Sequence, residues 1–345
     1  MPRKSRAPAQ APRRQFLARA PRRLAMAAVA ALALLPAALP RDARAQGRAW
    51  PNQPIRVIVP FSAGTSDTVA RLVGIEMGKA LGQPLVIENR PGAGGNLGSE
   101  ACARANPDGY TICLGTISSH AINAAIYPRL PYNVARDFAP ITQLASQPNA
   151  LAVSENFAPR TVAELIEYLK ANPGRVNYGT SGVGTSIHLA GTLFGQLTGT
   201  QIEHVPYRGS GQVTTALLGG ELQMAFDNFS SVWPFAREGK LRILGVTSRE
   251  RLPNQPEIPT IAETVPGFES LSWHGFFTQA AVPAPIVQRL NQEAVAALRN
   301  PVVSGRFNDL GITPVGNTPE EFRAFVAAET ERWGRVARDA RISLD

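Results

Sequence analysis

Six clusters of small polar residues and glycine hold most of the chemistry this sequence can offer: Ser62 to Asp67, Gly92 to Asn96, Thr116 to Asn123, Thr180 to Thr185, Tyr207 to Gly211 and Asp227 to Ser231. Each follows a short apolar run, and four lead into an amphipathic stretch. The first backbone N–H groups of a helix lack internal partners and carry partial positive charge. A helix opened by such a loop therefore takes a carboxylate or other small anion without a cationic side chain. One helix end contributes roughly 0.3 to 1 kcal/mol when exposed and up to about 2 when partly buried. Several converging on a dry cleft reach micromolar affinity, about −8 kcal/mol.

Sharper motifs are missing. A dinucleotide fingerprint needs glycine in its first, third and sixth places, and the run from Gly92 and Gly94 puts Leu97 in the sixth. Gly182-Val183-Gly184-Thr185-Ser186 has no lysine for a phosphate loop. Gly179-Thr180-Ser181-Gly182-Val183 breaks the nucleophile elbow at its last position. The four histidines, His120, His188, His204 and His274, fall in no metal spacing with cysteine or carboxylate. Neither a metal nor a cofactor is expected.

Single residues stay open between roles. His188, about one turn into its helix, either meets a ligand or packs as a core histidine, and Ser119 with His120 either contact ligand or cap a helix. Asp67 reads as a cap. Asp227 ends a buried strand, where an unpaired acid costs energy unless loop amides or a ligand's ammonium group bind it. Arg208 is a surface arginine or the partner of a ligand's distal carboxylate.

These loops need a frame, and the periodicity supplies one. Strands are expected at Ile55 to Val59, Leu85 to Ile87 and Thr111 to Leu114, with helices at Thr68 to Leu81 and Leu97 to Ala105. A second α/β stretch starts near Asn149. Its first helix opens on Thr161 and Glu164 as a capping box and stops at Asn172-Pro173-Gly174. Strands at Val176 to Tyr178, Glu203 to Pro206, Met224 to Phe226 and Ile243 to Val246 follow, with helices at Ile187 to Leu197 and Val213 to Leu218. After a strand at Trp273 to Ala280, helices are expected at Pro285 to Leu298, near Val302 to Leu310, and from Thr318-Pro319-Glu320-Glu321 onward. Strand, loop and helix in succession predict parallel sheets covered by helices, with the ligand crevice at the carboxyl ends of the strands.

With 44% hydrophobic and 18% charged residues among 345, the chain is neither disordered nor a membrane bundle. Its formal charge of +9 sits in residues 1 to 45, which hold ten Lys and Arg against Asp42. The other 300 residues carry 25 basic and 25 acidic side chains, which removes a nucleic-acid partner. The leader reads as an export signal: basic up to Arg22-Arg23, apolar from Leu24 to Leu39, and Ala43-Arg44-Ala45 for cleavage after Ala45. Its apolar run of about 16 residues, interrupted by Pro36, is short of the roughly 20 a membrane span needs. Arg13-Arg14-Gln15-Phe16-Leu17 resembles a twin-arginine motif, or is two of the ten basic residues. No cysteine precedes Cys102, so there is no lipid anchor site and the mature protein is expected to be soluble in the periplasm. Cys102 and Cys113 are expected as buried, unpaired thiols, although export allows a bridge.

Several segments, in order, carry a family resemblance. They include Ile58-Val59-Pro60-Phe61, Glu88-Asn89-Arg90-Pro91-Gly92-Ala93-Gly94-Gly95-Asn96, Pro107-Asp108-Gly109-Tyr110-Thr111, Gly184-Thr185-Ser186-Ile187-His188, His204-Val205-Pro206-Tyr207-Arg208-Gly209 and Phe226-Asp227-Asn228. Together they resemble the extracytoplasmic solute receptors of tripartite tricarboxylate transporters, the Bug (Bordetella uptake gene) family, over nearly all of residues 50 to 345. The resemblance implies an α/β, type II periplasmic-binding-protein fold: two α/β domains around a ligand cleft, joined by two crossover connections. Here these are residues 46–147 with 266–345, and 148–265, behind a signal peptide of residues 1–45.

Carried over residue by residue, the resemblance places ligand contacts at Phe61, Ser62, Ala63, Gly64, Thr65 and Asp67, at Ser119 and His120, at Ser181, Gly184, Thr185 and His188, and at Arg208, Gly209 and Asp227. It implies a small carboxylate as ligand, subunits of a membrane transporter as partners, a monomer, and no catalysis. One departure stands out. The family's first loop runs Pro-Phe-x-x-Gly-Gly-x-x-Asp, whereas Pro60 to Asp67 is one residue shorter and lacks the second glycine. In another class, an exported hydrolase would use Ser181 or Ser119 with His188 or His120, oriented by an acid. A receptor feeding a sensor kinase would share the fold and differ in partner.

Overall fold

The computed structural model describes residues 50–339. The export-signal reading, with cleavage after Ala45, lies outside the described residues. Among those described, no helix is long and apolar enough to cross a membrane.

In the first lobe β1 (Ile55–Val59), β2 (Leu85–Asn89) and β3 (Thr111–Thr116) run parallel in the order β2-β1-β3, linked by α1 (Thr65–Leu81) and α2 (Asn96–Ala103). β1 is apolar except for Arg56, and its Ile55, Val57, Ile58 and Val59 are fully buried, as in a sheet covered by helices. α1 turns Val69, Ala70, Val73, Met77 and Leu81 onto that sheet, all at most 7% exposed. Burying a large apolar side chain in this way stabilises the fold by roughly 1.5–3 kcal/mol. The helix ends at Gly82, whose φ of 68° is the left-handed cap that glycine accepts without strain. A π-type turn at Ser118–Ile122, then α3 (Asn123–Ile126) and α4 (Val134–Asp137), follow β3.

β4 (Phe138–Ser154) belongs to two sheets. From Phe138 to Pro148 it runs antiparallel to β9 (Leu271–Gln279), which itself pairs antiparallel with β3. From Asn149 it enters the second lobe, pairing antiparallel with β7 (Met224–Asn228) and β8 (Leu241–Val246). There α5 (Val162–Ala171) leads to the parallel set β6 (Glu203–Pro206), β5 (Asn177–Thr180) and β7, connected by α6 (Ser186–Thr198) and α7 (Ser210–Leu218). α8 (Phe229–Arg237) joins β7 to β8. The chain returns through β9 to α9 (Ala284–Arg299), α10 (Pro301–Asp309), the short β10 (Thr313–Pro314) against β4, and α11 (Pro319–Asp339).

The structure corrects the sequence reading in three places. The strand that carries the chain into the second lobe at Asn149 extends back to Phe138, over a stretch in which Pro140 and Pro148 disguise it. Pro140 sits at a register shift, where the ladder tolerates a missing donor. α1 and α7 begin earlier than expected, at Thr65 and Ser210. Their N-caps, Gly64 and Gly209, make no side-chain cap bond, so no capping side chain announces them. Finally, Cys102 and Cys113 are joined in a disulfide. α2 packs on β3 so that both residues are buried with their Cα atoms 6.1 Å apart, within bridging range.

Candidate functional site

The carboxyl ends of β1, β3, β5 and β7 and the starts of α1, α6, α7 and α8 surround one cavity between the lobes. The first lobe supplies Phe61 and Ser62, the opening turn of α1 (Gly64, Thr65, Ser66), Thr116 and Ser118 after β3, and Ser272 and His274 from β9. Ser181, the cap and opening turn of α6 (Thr185, Ser186, Ile187), Ser210 at the start of α7 and Asn228 before α8 come from the second. Ten of the fifteen lining residues are Ser or Thr in addition to one Asn and one His, and no Lys, Arg, Asp or Glu lines the space. Anion attraction must therefore come from backbone N–H groups at the helix starts, supplemented by hydroxyls. The cavity itself is about 20 Å³, room for a water molecule or two, so an organic solute enters only if the lobes separate.

Direct contacts hold the lobes together. Thr65 Oγ1 lies 2.8 Å from Ser230 Oγ and 2.6 Å from Ser231 Oγ. The Ser186 N–H donates to Ser118 Oγ at 3.1 Å, and the Ser62 N–H to the Arg208 carbonyl at 3.4 Å. In the short first loop, Thr65 stands directly after Gly64, and its hydroxyl reaches the opposite lobe.

A buried titratable group touches one serine of each wall, His274 from within the lining and Asp227 from behind it. Ser66 Oγ lies 3.1 Å from His274 Nε2. His274 is 1% exposed, its Nδ1 has no hydrogen-bond partner, and burial pushes its pKa down to about 4, leaving it neutral at pH 7. On the other side Ser210 Oγ donates to Asp227 Oδ1 at 2.5 Å, and the Asn228 N–H donates to the same oxygen at 2.7 Å. Asp227 is fully buried with Oδ2 unpartnered. Burial raises its pKa to about 7 although both hydrogen bonds act in the opposite direction.

Of the residues expected at the site, Phe61, Ser62, Gly64, Thr65, Ser181 and Thr185 line the cavity. Ala63 faces an adjoining groove with Gly211, and Arg208 is exposed on the rim of another beside Gly182 and Tyr207. Gly209 packs against Ser62 where a Cβ would come within 3.2 Å. The other six lie off the cavity. Asp67 accepts from Arg71 Nε at 2.7 Å. Ser119 and His120 are fully buried; the imidazole stacks on Phe277 at 4.2 Å and meets the edge of Phe138. The Gly184 N–H donates to His188 Nδ1, and the His188 ring stacks on His204 at 4.1 Å. Asp227 stands behind Ser210 rather than in the wall.

Two serine–histidine contacts bear on the hydrolase alternative. Ser119 Oγ lies 2.9 Å from His120 Nδ1, and Ser66 Oγ 3.1 Å from His274 Nε2. In both, the far ring nitrogen has no partner, so the acid that orients an imidazole in a triad is missing. Among the described residues, no group of three or more His, Cys, Asp and Glu is placed to hold a metal.

Sequence reasoning found Ser66, Thr116, Ser118, Ser210 and Asn228 only as members of their loops, without singling them out. Ser272 and His274 carried no loop signal. They face one side of β9 by the two-residue period of a strand.

Comparison with known proteins follows the same lines. A family model for the tripartite tricarboxylate transporter family receptor matches residues 69–342. The UPF0065 protein of the tcbD-tcbE intergenic region from a Pseudomonas species is 37% identical over 86% of this chain and 89% of its own. Protein BugT of Bordetella pertussis is 35% identical over 86% and 91%. Among solved structures, MatC from Rhodopseudomonas palustris with bound malate is 34% identical with a TM-score of 0.80, covering 83% of this chain and 99% of that one. An R. palustris protein with adipate is 36% identical with a TM-score of 0.83, covering 85% and 99%. The two α/β lobes and their double crossover are the type II periplasmic-binding-protein fold, and the chain belongs to the tripartite tricarboxylate transporter receptor family, which includes the Bug proteins.

Proposed function

We propose that this protein is a non-catalytic periplasmic receptor that closes on a small carboxylated solute and presents it to a membrane transporter of the tripartite tricarboxylate type. The observation that carries the reading is the cavity wall: the starts of α1, α6, α7 and α8 and a ring of hydroxyls meet there without any cationic side chain. Such a wall attracts a carboxylate through fixed peptide dipoles. The moving bodies are residues 46–147 with 266–345 against 148–265, hinged where β4 passes between the sheets. Closure is favoured by contacts that a ligand makes to both lobes at once. Phe61, Ser62, Gly64, Thr65, Ser181 and Thr185 make those contacts, joined by Ser66, Ser210 and Asn228. The relatives solved with malate and adipate support the ligand class.

Thermal unfolding of the exported protein against a panel of carboxylic acids and amino acids tests this. A ligand that binds only the folded state, at about a hundred times its Kd, adds roughly 2.7 kcal/mol. One or more acids are expected to raise the melting temperature. If none does while an ester is hydrolysed, the hydrolase reading replaces this one.

A further inference from the structure

Ser210 lines the cavity, and the proton on its hydroxyl is committed to Asp227 Oδ1 at 2.5 Å. A serine has one proton to give. While Asp227 is a carboxylate, Ser210 must donate inward and turns only lone pairs towards the cavity, which repel an anion. When Asp227 takes a proton on that oxygen, its O–H donates back along the same contact to Ser210 Oγ, and the serine proton becomes free to bond a ligand oxygen. We propose that Asp227 is a positioning residue that couples carboxylate capture to the uptake of one proton from solvent, by setting the direction in which Ser210 donates. This rests on the carboxylate-receptor reading above and adds a proton to it.

The surroundings leave Asp227 in control of its own titration. α7 and β4 pack against β7 without an ionisable side chain between them. On β5, Tyr178 turns its ring to Phe226; on β6, His204 bonds Thr180 Oγ1; and in α6, which also packs on β7, His188 stacks on His204. In α8, Arg237 lies exposed in the last turn, and on β8, Arg242 donates to the carbonyls of Glu155, Phe157 and Pro159. Across the cavity His274 is neutral, and Asp67 is paired with Arg71. With no cation at hand and Oδ2 unpartnered, burial alone holds the acid near neutral pH, where a nearby anion shifts its proton balance further. A ligand's ammonium group is the poorer partner, because the carboxyl is fully buried and Ser210 stands between it and the cavity.

Isothermal titration with malate and with adipate, from pH 6 to pH 9 in two buffers of different ionisation heat, tests the coupling. The wild type is expected to bind about tenfold more weakly per pH unit above about 7, with uptake approaching one proton per ligand. Asp227→Asn, whose side chain cannot exchange a proton with solvent, is expected to bind with no proton uptake and no pH slope. Ser210→Ala at pH 6 is expected to match the weaker wild-type binding near pH 8.5. Binding without proton uptake, or a slope that persists in Asp227→Asn, overturns the coupling and leaves the receptor reading standing. Affinity that rises with pH overturns the coupling, because neither acid carries a cationic group that an ionised Asp227 could bind. Failure of both acids to bind at every pH removes the coupling together with the reading it rests on.

Discussion

On the first lobe's wall, Ser66 in the opening turn of α1 is backed by buried His274. On the second lobe's wall, Ser210 in the opening turn of α7 is backed by buried Asp227. Burial disfavours the charged form of either group. For an imidazole that lowers the pKa to about 4, away from physiological pH, whereas for a carboxyl it raises the pKa to about 7, into that range. One wall is thereby fixed in its hydrogen bonding and the other can be switched. The difference shows how a single physical effect gives two neighbouring hydroxyls opposite freedoms.

The largest expected effect comes from keeping the walls apart. A Cβ on Gly211 would lie 2.8 Å from the Ala63 carbonyl oxygen across the cleft, so Gly211→Val wedges the lobes open while the rest of each lobe stays folded. Losing the helix ends of one wall, at up to about 2 kcal/mol each, is expected to weaken carboxylate binding roughly a thousandfold, or about 4 kcal/mol, by titration calorimetry.

Next is the pH dependence of stability, where the two backing groups oppose each other. With its folded pKa depressed, His274 contributes stability that is present above about 6.5 and lost as pH falls towards 4. Asp227, with its folded pKa raised, contributes stability that is present below about 3.8 and lost as pH rises towards 7. In chemical denaturation between pH 6.5 and 4.5, His274→Gln is expected to gain about 2–3 kcal/mol relative to the wild type, and Asp227→Asn to lose a similar amount. Parallel curves would mean that the two walls do not differ as described. The smallest effect is expected for Thr65→Val, which removes the two contacts of the Thr65 hydroxyl with Ser230 and Ser231 and leaves those serines free to bond water. Ligand affinity should fall about fivefold, near 1 kcal/mol, and small-angle scattering should show a wider ligand-free molecule.

Much of the frame was legible because its signals are local. Thr318 and Glu321 exchange both bonds of a capping box, at 2.9 and 3.2 Å, as their spacing implied. Thr161 caps α5, although Glu164 reaches the Arg160 N–H instead of completing the box. The polar clusters after strands were legible as loops, since a parallel sheet gathers them at one edge. Which residue of each loop faces inward was not, and the reason is helix phase. A start at Thr65 in place of Thr68 puts Ser66 in the first turn, and a start at Ser210 does the same for that serine. His274 was beyond reach because its importance depends on β9 entering between β3 and β4, strands more than a hundred residues away in sequence. His120 was read at a helix head; the π-type turn draws it inward between Phe138 and Phe277.

A wall that grips through peptide nitrogens has a further consequence for how such a protein changes over time. On the proposed reading the atoms that hold the anion belong to the main chain, so no substitution short of proline removes them, and drift can rework the surrounding side chains while the grip persists. New guests are then reached by recontouring the rim, with the anchor inherited intact.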